Sequence, residues 1–504
     1  MAFSPGKLQL QLQDVRLYWA APALVLLYLI SLIIYRIFFH PLAKFPGPFL
    51  GKFTDIIPTI AMFKMERMYN QADLLERYGS PVRASTNQLY FSDLKSFTDI
   101  YGQSSNPCMK YMPFYSTVNA TGSSSVLTEG HRNTHARIRR LISHAFSMKA
   151  LLDNEALWHE KVEQLVQYVF APAANQKQSV DIFHKMNCHY LDIVSYLSFG
   201  ESFNSLQGKG DVTEHNMESF AVIVFAQAYI PFIRYIPSAK IQDYCRGLDE
   251  LIHFAERSVK RIQDGVEKDG DSFAKGTFLR NLVDARDEET GGSRLTSTEL
   301  VENTLTFLVA GSDTTSFTTM YLIWECGKNP KVREKLVHEI RTAFPDPDHA
   351  PTYNETADLP YLNACIDETL RLWGPLNPGF PRVSPGKVIG EHYVPAGAVV
   401  NTIPYAAHRD PKIFPNPLKF TPERWLDASA DMRAMLRPFS LGPRNCIGKH
   451  LADINLHLTL TRLYQLFDIE NDPSMTDAMM RQKDRGTCGP CDGMFLIRPR
   501  AAKY

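Results

Sequence analysis

Residues 17 to 35 read LYWAAPALVLLYLISLIIY and carry no charge. As a helix this run spans roughly 28 Å at about 1.5 Å per residue, which matches a hydrocarbon core of about 30 Å. Tyr18 and Trp19 at one end and Tyr35 at the other suit the two membrane interfaces. A cleaved signal would have a shorter apolar region followed by small residues, whereas this run ends in Tyr35-Arg36-Ile37-Phe38-Phe39. The predicted organisation is a tail over 1–16, a transmembrane anchor over 17–36, a proline-rich hinge over 37–52 and a body over 53–504. Arg36, Lys44 and Lys52 after the span, against Lys7 and Arg16 before it, favour a cytosolic body. Pro41, Pro46 and Pro48 prevent the helix from continuing, so a stiff elbow is expected there.

The body must bury a large core, because 44% of the chain is hydrophobic. Lys+Arg and Asp+Glu balance at 54 each. That balance argues against a nucleic-acid binder drawn by phosphate charge and against a disordered chain. Eight cysteines, at 108, 188, 245, 326, 365, 446, 488 and 491, are too sparse for a disulfide scaffold. A cysteine with a role is then a ligand or a nucleophile.

Helical patterns dominate from about 60 to 375. The clearest predicted helix runs from Ser297 to Glu325, opened by a Thr296/Glu299 capping box and closed by Gly327 and Pro330. Further helices are expected after Pro330, from Pro360 through Arg371, and after Cys446. Val388–Val394 and Val399–Tyr405 read as two strands joined by Pro395-Ala396-Gly397. Asn106 to Ser125 shows no period and reads as a loop. Cys488-Gly489-Pro490-Cys491 has the sequence of a thioredoxin active site but lacks the strand–helix context, so its Gly-Pro is expected to form a hairpin turn.

Residues 439 to 448, FSLGPRNCIG, bring a free cysteine into a tight irregular loop just before a buried helix. The helix dipole and its unpaired N–H groups favour a thiolate at Cys446. Arg444 offers a cationic fork for a carboxylate, and Gly448 lets backbone approach something flat and bulky. A thiolate beside an arginine in an apolar pocket suits an axial ligand to haem iron.

This stretch resembles the cytochrome P450 haem-binding signature F-x-x-G-x-R-x-C-x-G, matched by Phe439, Gly442, Arg444, Cys446 and Gly448. Three more family motifs occur in order. Ala310-Gly311-Ser312-Asp313-Thr314-Thr315 resembles the segment that passes over the haem, where small residues open a groove for dioxygen and Asp313 and Thr314 form a proton-relaying acid–alcohol pair. Glu368-Thr369-Leu370-Arg371, with Arg424 of Pro422-Glu423-Arg424, resembles a buried structural triad. His135 and Arg139 fall where the family places W-x-x-x-R against a haem propionate. Histidine replaces the usual tryptophan but can still donate a ring N–H. Arg382 matches another propionate contact.

The resemblance spans roughly residues 40 to 500. It implies a mainly α fold with a smaller β-rich lobe, behind a single N-terminal transmembrane helix. It implies haem b held by Cys446, and monooxygenation of a lipophilic small molecule, a terpenoid or polyketide intermediate of secondary metabolism. The chain has no dinucleotide fingerprint of its own, so electrons from NADPH would come through a separate membrane-bound reductase. Arg137, Arg140 and Lys449 are candidate contacts for that partner. The implied location is the endoplasmic reticulum with a cytosolic body, and no nucleic acid is implied as a partner. Phe307, Leu308, Leu376 and Phe380 are candidate pocket walls, and 106–125 falls at the family's substrate-access loop. A haem-thiolate isomerase or dehydratase, or a non-catalytic haem or lipid carrier, are the competing expectations.

Overall fold

A computed structural model describes residues 20, 22–209, 214–227, 230–269 and 273–503. The expected tail over 1–16, and residues 17–19 and 21 of the expected anchor, lie outside the described residues. The helix Pro22–Phe39 is long and apolar enough to cross a membrane, and none of it is buried. It ends in a wider turn over Tyr35–Phe39, so helix persists three residues past the expected boundary at 36. The elbow is packed rather than free: Leu42 and Phe45 are buried against Phe91, Ile389 and Val394. The Arg83 N–H donates to the Pro46 carbonyl at 2.7 Å. A Cβ at Gly47 would stand 2.1 Å from the Arg83 carbonyl oxygen, so only glycine allows this approach.

The body has a helical part and a smaller β-rich lobe, as expected. The central helix is Ser297–Lys328. The Thr296 capping box forms on both sides, which satisfies two of the N–H groups that a helix start leaves open. Gly327 does not end this helix; it stops at Asn329, where Pro330 begins the next, Pro330–Ala343. The middle of the helix is buried on nearly all sides, as its apolar residues all round require. Phe183–Phe199 packs along it, and Lys449–Leu466 packs behind. Two large apolar clusters form along it, one around Leu305, Phe307 and Leu308 in its first half, the other around Phe317, Tyr321 and Leu322 in its second.

The lobe contains a five-stranded sheet ordered Val82–Ser85, Gln88–Phe91, Val399–Thr402, Arg382–Val383, Met109–Lys110. The Gln88–Phe91 and Val399–Thr402 pair is parallel and the others are antiparallel. Three strand expectations are corrected. Val388–Val394 is not one strand but a hairpin, Lys387–Ile389 against His392–Val394, reversed at Gly390 in a left-handed conformation (φ 62°). The Val399 strand ends at Thr402, because Pro404 opens a short helix over Pro404–Ala407. Cys488–Pro490 is a strand paired with Gln482–Asp484, and the chain reverses at 485–487 instead. The span 106–125 is also not a bare loop: it contains the strand Met109–Lys110, the short helix Met112–Tyr115 and a tighter turn over Ser116–Val118.

Candidate active site

The cysteine loop is held by backbone geometry. The Cys446 N–H donates to the Phe439 carbonyl at 2.9 Å, and the Asn445 N–H to that of Gly442 at 3.1 Å. Gly442 has φ 72°, and a Cβ there would stand 2.4 Å from the Tyr101 carbonyl oxygen. Glycine is required at 442 on both counts. Helix Lys449–Leu466 starts three residues beyond the cysteine. The Cys446 side chain is accessible and lines a cavity of about 160 Å³ within the body. Burial pushes the thiol pKa up, while the Gly448 N–H and Arg139 pull it down. A Cβ at Gly448 would meet only the Cys446 sulfur, at 3.8 Å. Protein crowding therefore does not demand glycine at 448; its absent side chain keeps the space beside the sulfur open.

The cavity is walled by Phe439 and Ile447 on the loop side, Thr306, Phe307 and Ala310 of the long helix, and Leu376 and Phe380. A second cavity of about 450 Å³ adjoins it, and both share His135, Arg139, Arg382 and Arg444. The three residues expected at a propionate, His135, Arg139 and Arg382, are thus brought together at one rim with Arg444. Helix Arg132–Ser143 puts His135 and Arg139 one turn apart on the same face. Arg139 donates to the Asn445 carbonyl at 2.7 Å and to its Oδ1 at 2.5 Å. Arg444 donates to the carbonyls of Glu129 and Gly130, each at 2.7 Å. His135 is buried and its pKa falls to about 3, first through desolvation and then through Lys110, Arg444, Arg139 and Arg382. It is neutral near pH 7 and can donate one ring N–H. Arg382 lies between two aromatic rings, 5.5 Å from each of the Tyr101 and Tyr115 centroids, and its buried Nη1 has no partner.

These features fit a flat, dianionic group: a soft ligand at the floor, open space beside it, apolar walls, and basic side chains at one edge with an orphaned buried donor. They define a protein of the haem-thiolate class. Comparison with known proteins agrees. The family described as Cytochrome P450 matches residues 50–491. Cytochrome P450 monooxygenase BOT4 of Botryotinia fuckeliana is 32% identical over 89% of this chain and 85% of its own length. Cytochrome P450 monooxygenase tazI of Aspergillus terreus is 31% identical over 89% and 91%, and ABA2 of Pyricularia oryzae 30% over 86% and 85%. The chain belongs to the cytochrome P450 family.

The triad behind the loop forms as expected. Glu368 receives two hydrogen bonds from Arg371, at 2.8 and 2.9 Å, and one from Arg424 at 3.1 Å. A further partner that carries no signal in the sequence is Trp425, whose indole N–H donates to Glu368 at 2.9 Å.

Two other expectations change. Leu308 is not a pocket wall; it is fully buried in the helical core. Gly311 does not face the cavity. A Cβ there would come 2.9 Å from Val194 Cγ2, so this glycine lets the long helix approach Phe183–Phe199, and Ala310 is the small residue above the cysteine. Gly311→Leu is therefore expected to cost about 1–3 kcal/mol by overpacking, read as a lower Tm. Asp313 and Thr314 follow Ala310 by three and four residues but do not wall the cavity, and the Thr314 hydroxyl donates to the Ala310 carbonyl at 2.8 Å. Arg137 and Arg140 are engaged within the protein, by Glu299 and by Asp287 and Glu289 respectively. Of the three basic residues expected to face a partner, Lys449 is exposed and forms no such ion pair among the described residues.

Lys110, buried and adjoining the same cavity, escaped sequence reasoning. It sits in a segment without periodicity, and only the pairing of its short strand with Arg382–Val383 brings it to the site.

Proposed function

We propose that this chain is a membrane-anchored haem-thiolate monooxygenase acting on a lipophilic small molecule, a terpenoid or polyketide intermediate of secondary metabolism. Its electrons come from NADPH through a separate reductase. The observation that carries the reading is the Cys446 thiol, open to an apolar cavity beneath Ala310 and rimmed by His135, Arg139, Arg382 and Arg444. The relatives' names as monooxygenases support the same reaction.

Haem, when bound, supplies the activation of dioxygen, which no side chain here could perform. Cys446 would hold the haem iron through its thiolate, whose negative charge the Gly448 N–H and Arg139 would stabilise. Phe439, Gly442, Arg444 and Gly448 shape the floor. Phe307, Leu376 and Phe380 exclude water and favour an apolar substrate. Thr314 and Asp313 manage protons. The Thr314 hydroxyl, bonded back to the Ala310 carbonyl, stands one turn beyond the residue above the cysteine.

The body and elbow form one catalytic unit behind the anchor. Phe49, Leu50, Ile56, Ile60 and Phe63 are exposed next to it, as suits a body lying against the endoplasmic reticulum membrane. Lys449 belongs to the face offered to the reductase.

The test is product formation by the full-length protein with an NADPH-dependent reductase and a panel of lipophiles. Turnover that depends on reductase and dioxygen is expected. Turnover without reductase would show an isomerase or dehydratase instead. In the same assay Thr314→Val is expected to lower product formed by about 10²-fold, the scale of one lost proton-transfer group, while substrate binding stays near wild type.

A further inference from the structure

Residues 119–126 are fastened to the long helix Ser297–Lys328 by one buried carboxylate. Glu302 is 1% exposed. It accepts from the Ala120 N–H at 3.2 Å, and from the Thr121 N–H and hydroxyl at 2.9 and 2.7 Å. Its neighbour Asn303 accepts from the Val126 N–H at 2.9 Å. The strap between these points is closed on itself, with the Gly122 N–H donating to Asn119 Oδ1 at 2.6 Å. Among the described residues no cation pairs with Glu302; burial raises its pKa, and only the Thr121 and Ala120 donors oppose the rise. A buried carboxylate without a cation is costly. Three charge-assisted bonds offset that cost while the strap is in place. When the strap lifts, water reaches the carboxylate and the cost disappears with the bonds. Closed and open states therefore differ by little, as suits a fastening that must release.

The strap joins two parts of the cavity wall, Tyr115 on one side and Val126 and Leu127 on the other. One helical turn beyond Glu302, Thr306 also walls that cavity, and its hydroxyl donates to the Glu302 carbonyl at 2.8 Å. The fastening and the wall it secures thus stand on adjacent turns of one rigid helix. We propose that Glu302 is a positioning residue for ligand entry: its carboxylate latches the 119–126 strap along the cavity above Cys446, and release of that latch sets how fast an apolar molecule enters and leaves. The use of the cavity rests on the haem-thiolate reading; the latch itself does not. Neither Glu302 nor Thr121 touches the cavity, so the latch acts on passage and not on the fit of the bound molecule.

The full-length holoprotein is compared as wild type, Glu302→Gln and Thr121→Val. Glutamine keeps the shape and one acceptor oxygen but removes the charge. Valine removes one bond from the strap's side and leaves the long helix untouched. Two readouts are taken: amide hydrogen exchange over 119–126, and stopped-flow binding and release of 4-phenylimidazole followed at the Soret band. Glu302→Gln is expected to speed exchange over 119–126 about tenfold or more, the scale of one lost hydrogen bond to a charged group, with the helix 297–328 unchanged. Association and dissociation of 4-phenylimidazole are expected to rise by the same factor, so that Kd stays at the wild-type value, because a gate scales both rates alike. Thr121→Val is expected to move every readout in the same direction by less, and it decides the matter alone if Glu302→Gln does not accumulate. Unchanged exchange over 119–126 overturns the proposal, as does a shift in Kd carried by one rate only, which would make Glu302 a residue that shapes the pocket. Failure of the wild type to show any Soret response to 4-phenylimidazole would count against the haem-thiolate reading, while the exchange data still decide the latch.

Discussion

Arg371→Leu is expected to yield protein that accumulates without haem. Arg371 and Glu368 are both fully buried. The arginine donates to both oxygens of Glu368, to the carbonyls of His408 and Pro417 at 2.8 and 2.7 Å, and to that of Lys419 at 3.3 Å. Its loss strands a carboxylate in the core and unfastens the segment 408–419, which leads through Trp425 into the cysteine loop. Breaking a buried pair in this way costs roughly 3–5 kcal/mol, a large share of the about 5–15 kcal/mol that holds a typical domain folded. Arg424 still reaches Glu368 at 3.1 Å, so the carboxylate is not wholly abandoned and Arg424→Leu should be the milder change. The haem-to-protein ratio and Tm of purified Arg371→Leu check this. A haem-loaded variant with wild-type Tm would show that the cluster does not hold the loop.

The parts of this molecule legible in its sequence are those whose physics is local. The cysteine loop needs a positive φ at Gly442 and a following helix, and both are encoded within ten residues. The Thr296 capping box and the Glu368–Arg371 pair work at three-residue spacing, which the helix itself imposes. What was illegible depends on pairings between distant segments. Gly311 is explained by Val194 on another helix, so a reading confined to its own helix assigned the missing side chain to the wrong face. Arg137 and Arg140 looked available until the 287–299 segment folded over them. Lys110 and Trp425 have no pattern of their own; strand register and the packing of the triad bring them in. The hairpin at Gly390 was missed because an apolar run gives no signal of reversal beyond the glycine itself.

Cys446→Ala should have the largest effect on activity. Removing a partner that merely orients a metal ligand typically costs 10–100-fold, so losing the ligand itself is expected to reduce reductase-dependent turnover by more than about 100-fold. Stability should change little by comparison, because the loop is held by the Cys446 and Asn445 backbone bonds and the fit of Gly442 rather than by the thiol. The variant is therefore expected to fold with its triad intact, unlike Arg371→Leu.

The most direct measurement is the carbon-monoxide difference spectrum of the reduced protein, wild type against Cys446→Ala, at matched protein concentration. Sulfur bonded to haem iron predicts the thiolate-type Soret band in the wild type and its complete absence in the alanine variant. The same band in both proteins, or in neither, would contradict the assignment of Cys446 as the iron ligand.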